Sequence, residues 1–234
     1  DGAAPLKPIL KKIADISDRR EYQLVGAQLD ARGIGCAMFG VGVGADMKDA
    51  ANNLVGIGQG GLGLGERDYY LSDDAQVKAV REAYAKYLKQ ILVLAGNDEA
   101  TAQKKADATM RIETRLAKAS KSTVEMRDVQ SNYHKMTYNA LVKDFPGIDW
   151  GNYFLIQGFP AFSHVDVGQI EPIHEVEKIL AEESLDDLKA YAEAHAVSSS
   201  SAYLDDNFRK ADFELSRVMS GVQQDRPRWK RATS

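Results

Sequence analysis

The chain has 234 residues, 44% of them hydrophobic and 27% charged, and 30 Lys and Arg stand against 34 Asp and Glu for a net charge of -4. This slightly acidic balance gives no reason to expect a nucleic-acid partner, which calls for a basic excess. The single cysteine, Cys36, excludes an intrachain disulfide and a cysteine-rich metal site, and no apolar run approaches the roughly 18 residues of a membrane-spanning helix.

The chain opens on Asp1 with no leader-like segment and closes on Trp229–Ser234 with no helix or turn signal, as a trimmed or processed chain would. Leu6, Ile9, Leu10 and Ile13 follow helical spacing, and a second helix is expected from the caps Ser17 and Asp18 through Tyr22, Val25 and Leu29 to a stop at Gly33. Eleven of the 19 glycines then fall between Gly33 and Gly65, and at a cost of about 1 kcal/mol each relative to Ala they argue against a helix. Cys36–Gly44 and Asn53–Gly58 alternate apolar residues with Gly around a polar Asp46–Asp49 segment, which predicts a small hairpin at about residues 36–58 with a medium loop.

Beyond it the pattern turns helical. Val77, Val80, Tyr84, Tyr87, Leu88, Ile91 and Leu92 trace one face up to Gly96. Asn97-Asp98-Glu99 starts another helix, with Ala106, Met110 and Leu116 inward. Short helical runs at 138–142 and 150–155 sit among Pro146, Gly147, Gly158 and Pro160, and His164–Val167 reads as a short strand. Three more helices are expected: 171–182, 184–195 behind a Ser184/Asp187 capping box, and one through Asn207 to about Val222. The fold class is therefore mostly α, a single helical domain over residues 1–234 with one small β-hairpin.

Short motifs yield no complete active site. Gly56-Ile57-Gly58-Gln59-Gly60-Gly61 spells a dinucleotide fingerprint, but more glycines and Arg67-Asp68-Tyr69-Tyr70 follow instead of the helix that would hold a pyrophosphate, so it reads as a turn. His174-Glu175-Val176-Glu177-Lys178 begins like a zinc-peptidase helix, yet Lys178 stands where the second histidine is needed and would repel the ion. His134, His164 and His195 are scattered and read as structural or surface residues. No Ser occupies a G-x-S-x-G turn, and Cys36 reads as a small buried hydrophobe. The basic run Arg226–Arg231 is a single patch at one chain end.

Several of these segments together resemble one family. Gly61-Leu62-Gly63-Leu64-Gly65-Glu66-Arg67-Asp68-Tyr69-Tyr70-Leu71 resembles the GLGLP-x-RDYY signature of the neprilysin-type zinc metallopeptidases, with Gly65 in place of Pro. Tyr133-His134-Lys135-Met136-Thr137 resembles their YNKMT box, and Phe145–Trp150 the segment after it. Arg226-Pro227-Arg228-Trp229-Lys230-Arg231 is similar to their RWRRC passage. The order and spacing match across Pro5 to Arg231, and the absence of the animal members' cysteines resembles a bacterial-type member.

The resemblance implies the N-terminal helical domain of a two-domain endopeptidase. There it faces the catalytic domain across an enclosed cavity that admits short peptides. The family's H-E-x-x-H, E-x-x-x-D and N-A-x-Y segments lie downstream of the RWRRC passage, so no catalytic or metal-binding residue carries over to this chain. Zinc is the implied cofactor of the parent and not of this fragment, which is expected to be inactive alone. Arg67 and Asp68 are implied to fix the turn as an ion-paired or capping couple, with Tyr69 and Tyr70 anchoring it by ring burial; Gly61, Leu62, Tyr133, Lys135, Met136, Thr137, Arg228 and Trp229 are likewise implied to be structural. The implied partners are peptide substrates and the catalytic domain, and the implied location is periplasmic, cell-surface or extracellular. The alternative is a stand-alone helical binding module without activity; the reading frame beyond Ser234 separates the two.

Overall fold

A computed structural model describes residues 2–225. In chain order its elements are α1 (Lys7–Ala14), α2 (Arg19–Asp30), β1 (Phe39–Asp46), β2 (Asp49–Gln59), α3 (Asp68–Leu71), α4 (Ala75–Leu94) and α5 (Glu99–Ala119). They continue with β3 (Lys135–Thr137), α6 (Tyr138–Asp144), α7 (Trp150–Ile156), β4 (His164–Val167), α8 (Ile170–Glu182), α9 (Leu185–Ser200) and α10 (Asp206–Ser220). The protein is mostly α, as its sequence predicts.

Helix starts follow local chemistry. Asp18, Asp74, Asp98, Asp149 and Asp205 each accept a backbone N–H of the first turn they cap, which satisfies donors that a helix N-terminus otherwise leaves orphaned. Ser184 caps α9 by accepting from Asp187 N, and its hydroxyl donates to the Asp187 carboxylate at 2.7 Å. Gly221, at φ 70°, closes α10 in the left-handed conformation that glycine tolerates.

The β structure exceeds the expected hairpin. β1 and β2 form it, but they belong to a four-stranded sheet in the order β1-β2-β4-β3, with β4 parallel to β2 and antiparallel to β3. The medium loop expected at 46–49 is a turn of two residues, with Asp46 paired to Asp49, and a register shift after Ala45 leaves residues 50–52 without partners on β1 before Ala45 meets Asn53. One sheet face carries Phe39, Val41, Val55, Ile57, Val165 and Val167 into the core. Towards its root the opposite face of the hairpin pairs Gly40 with Gly58 and Gly42 with Gly56 and so bears no side chains there.

Two apolar clusters fill the molecule. One joins the sheet to α2, α7, α8 and α9; the other joins α4, α5, α9 and α10. Helix α9 belongs to both, burying Leu188, Ala190, Tyr191, Ala192, Ala194, Ala196 and Val197. A helix buried nearly all round needs apolar residues on every side, and its alanines let neighbours approach closely.

Cys36 lies in the first cluster, its thiol donating to Ala192 O at 3.6 Å. Burial, with Asp30 adding to it, pushes the thiol's ionisation well up, and the thiol form is a poor nucleophile. Cys36 is expected to resist alkylation in the native protein and to react on unfolding; mass spectrometry of iodoacetamide-treated samples with and without denaturant checks this.

Candidate functional site

The chain leaves β2 at Gln59 and passes through a glycine turn, Gly61–Gly65, into α3. Gly61 and Gly65 take φ of 77° and 81°, values closed to most side chains. Gly63 is required for a different reason: a Cβ there would lie 1.8 Å from the Tyr84 hydroxyl. The turn is held by hydrogen bonds at both ends. Tyr191 on α9 donates to Gly61 O at 2.9 Å, and Leu64 N donates to the Tyr70 hydroxyl at 2.9 Å.

Beneath the turn lies Glu113 of α5, with no exposed surface. Its Oε2 accepts from Tyr70 at 2.7 Å, and its Oε1 accepts from Tyr84 of α4 at 2.9 Å and contacts Nε2 of His195 on α9 at 2.7 Å. The His195 ring lies 4.1 Å, centroid to centroid, from Tyr191. Burial first, then Glu113 itself, pushes the Tyr70 and Tyr84 hydroxyls well above the usual tyrosine range. Both therefore keep the protons they donate.

The neighbouring residues divide the work. Arg67 donates to Ser120 O at the end of α5 at 2.8 Å, a cation at a helix C-terminus. Its contacts with Asp68 and Glu125 are longer, at 3.8 Å each. Tyr70 is buried, Tyr69 and Leu62 are half-buried, and Asp68 is exposed. Arg81 of α4 donates to the carbonyls of Tyr69, Tyr70 and Ser72 that end α3.

The second set of residues clamps the other end of the hairpin. Asp46 at its tip is buried, and it accepts from Tyr133 at 2.8 Å, from Lys135 at 2.6 Å and from Lys48 N at 2.9 Å. The Lys135 bond leads the causes that hold its carboxyl down to about 2. Met136 packs half-buried on the core, Thr137 caps α6 through Ala140 N, and His134 N donates to Asp166 at 2.6 Å. Phe145 and Trp150 are buried in the same cluster, with Trp150 Nε1 donating to Phe145 O at 3.0 Å. The glycine turn and the 133–137 segment thus meet opposite ends of one hairpin. Arg228 and Trp229, with the rest of 226–231, lie outside the described residues.

Sequence reasoning gave no role to Glu113, Tyr191 or Arg81, and read Tyr84 only as part of an apolar helix face. Glu113 carried a readable signal: Ala102, Ala106, Thr109, Glu113 and Leu116 share one helical stripe, and a charge on an apolar stripe demands partners. His195, read as structural or surface, is the third partner.

Zinc needs three or four converging His, Cys, Asp or Glu side chains, and among the described residues no such group of three occurs. His174 contacts Glu177 at 3.1 Å, and Lys178 lies near Glu175. These residues do not fit a zinc site. The Gly56–Gly61 run lies along β2 and into the turn, followed by the four-residue α3, which is not a phosphate-binding helix.

Three substitutions test this geometry. Tyr70→Phe leaves Leu64 N and Glu113 Oε2 short of a partner and is expected to cost about 1–3 kcal/mol of stability, while Gly63→Ala forces Tyr84 aside at a similar cost of about 1–3 kcal/mol; denaturant titration measures both. Because the Asp46 carboxyl is held down, its contribution is complete above the ordinary carboxylate range and is lost as pH falls through about 2. Lys135→Met is expected to move that titration up toward the ordinary range, read by carboxyl-carbon NMR.

The model of the N-terminal part of Peptidase family M13 matches residues 1–234. Endothelin-converting enzyme 1 of Homo sapiens is 32% identical over 202 residues, which are 82% of this chain and 26% of that protein. The cryo-EM structure of Mycobacterium tuberculosis zinc metalloprotease Zmp1 in its open state superposes with a TM-score of 0.91 at 30% identity, over 98% of this chain and 36% of that one. The crystal structure of the same protein with an inhibitor gives a TM-score of 0.92, also at 30% identity, over 98% of this chain and 35% of that one. The chain thus spans about a quarter to a third of the length of these relatives. Its match along all 234 residues places it in Peptidase family M13, as the N-terminal region of such a peptidase.

Proposed function

We propose that the chain is the helical, cavity-forming domain of a neprilysin-like zinc endopeptidase, limiting access to short peptides while a catalytic domain outside this chain carries the zinc and the chemistry. The observation that carries this reading is family membership along the whole chain combined with coverage of only 36% of Zmp1. Hydrolysis through zinc requires ligands, a metal-bound water and a general base in one place, and the described residues offer no converging ligand set. The chain's own contribution is shape: helices packed on α9, and a hairpin tied down at its root and its tip. Its partners are the catalytic domain, which packs against it, and the peptides enclosed between them. The family resemblance further implies that the parent works in the periplasm, at the cell surface or outside the cell. Among the described residues no helix is long and apolar enough to cross a membrane.

The test compares two lengths of the protein. Residues 1–234 alone are expected to leave oligopeptides uncut with zinc added. The longer protein, continued through an H-E-x-x-H, is expected to cut short peptides, to spare an unfolded protein chain, and to lose activity to a chelator. Chelator-sensitive cleavage by residues 1–234, or equal cleavage of the peptide and the protein chain by the longer form, refutes the proposal.

A further inference from the structure

The sheet ends on β1, its outermost strand, which pairs with β2 and with no other strand. Among the described residues no backbone bond from any other element reaches Gly40–Ala45, and Gly42, Val43, Gly44 and Ala45 are exposed. In an antiparallel pair alternate residues turn both their N–H and their C=O away from the partner. The outer side of β1 is thus a row of strand groups facing away from the sheet.

Folded proteins usually guard such an edge with a charge, a proline or a bulge. From Phe39 to Ala45 the strand has no charge and no proline, and its register shift comes only at the far end, between Ala45 and Asp46. The glycines add an independent observation. Glycine weakens a strand and often marks a place where a ligand or another backbone approaches closely. No atom lies within 4 Å of the Cβ that Gly42, Gly44 or Gly56 lacks, and none of the three has a positive φ. Neither an internal clash nor the backbone conformation requires glycine at these positions. What the glycines make is the side-chain-free floor of an open hollow, about 590 Å³ with its mouth, which Leu54 and Tyr133 help to wall.

We propose that β1 takes an extended substrate peptide as a fifth strand of the four-stranded sheet, with aromatic side chains at alternate peptide positions lying over Gly42 and Gly44 in the hollow. The pairing rests on the peptidase function proposed above and gives this domain a grip on the substrate's main chain. A row of free strand groups selects another extended backbone, and a ring beside a strand glycine covers the backbone that the glycine leaves bare. The free stretch, residues 40–45, extends for about 20 Å at about 3.3 Å per residue, the span of a short peptide. Edge pairing over that length falls well short of the roughly 1,200 Å² that a stable protein–protein interface buries. Permanent neighbours also meet through anchor side chains seated in matched pockets. A bare glycine floor reads main chain and side-chain bulk without reading sequence, which suits a succession of different peptides.

Titration of residues 1–234 with the peptide acetyl-Lys-Tyr-Thr-Tyr-Thr-Tyr-Lys-amide, followed by backbone-amide NMR, tests the proposal. Saturable shifts and slowed amide exchange are expected at Gly40–Ala45. N-methylation of one alternate set of peptide amides is expected to weaken binding about tenfold or more, the loss of one or two hydrogen bonds, while N-methylation of the other set is tolerated. Gly42→Thr puts a side chain on the floor and is expected to weaken the peptide by a similar factor. The melting temperature of the free variant should hold or rise, because threonine suits a strand better than glycine and its Cβ meets no atom there. In the longer, zinc-bearing protein the same substitution is expected to raise KM for this peptide with kcat unchanged. Absence of saturation, equal effects of the two N-methylated sets, or binding or KM unmoved by Gly42→Thr overturns the proposal. So does dimerisation that protects Gly40–Ala45, which assigns the edge to a second copy. Protection of those amides in the longer protein without peptide assigns the edge to the rest of the parent chain and overturns it as well. Because binding is read on residues 1–234 without cleavage, a longer protein that cuts no peptide refutes the proposed function and not the strand pairing.

Discussion

A carboxylate with no access to water organises this protein. Removing such a charge from water costs several kcal/mol, and Glu113 is tolerated because Tyr70, Tyr84 and His195 converge on it from three other helices. The arrangement is nearly all-or-none, since a buried carboxylate that loses one donor is left under-compensated. It therefore links the positions of α3, α4, α5 and α9 to one another. Through the Tyr70 hydroxyl the linkage extends to Leu64 N and hence to the glycine turn. The turn is shaped as much by what lies under it as by its own glycines.

The hairpin inherits its position from the same source. Its root leads into the Glu113 cluster, and its tip is gripped by Tyr133 and Lys135 through Asp46. A two-stranded ribbon is marginal by itself. Here it is anchored at both ends and joined along β2 to β4. The glycine turn and residues 133–137, far apart in sequence, thus hold one object.

Local chemistry made much of this legible before any coordinates. The capping aspartates, the 3.6-residue spacing and the glycine cluster located the helices and the hairpin to within a few residues. What stayed hidden was non-local. The tight turn at Met47 and Lys48 depends on Asp46 meeting residues 87 and 89 positions away. The strand at 135–137 has only three residues and takes its identity from pairing with β4. Glu113 stands on the apolar stripe of α5 in the sequence, but its partners Tyr70, Tyr84 and His195 lie on other helices and are joined to it only by the fold. Of the Arg67–Asp68 pair, Arg67 turned chiefly to the end of α5, because an orphan helix carbonyl at 2.8 Å is a better partner than a solvated carboxylate at 3.8 Å.

The parallel pairing of β2 with β4 also sets an order of events. Gln59 and Gln169, bonded where these strands end, are 110 positions apart, and contacts at such separations carry a loop-closure penalty before they return any stabilisation. As the chain emerges from a ribosome, the hairpin can close at once, while the inner edge of β2 waits for α3 to α7 to be made. During that interval the edge presents unpaired amides and carbonyls beside Val55 and Ile57, the kind of strand that recruits another chain. The glycines of β2, at Gly56 and Gly58, lower the strand propensity of that waiting edge. What looks in the finished protein like a weak, bare ribbon is then also a safeguard for the unfinished one, with sheet assembly deferred until its rightful neighbour arrives.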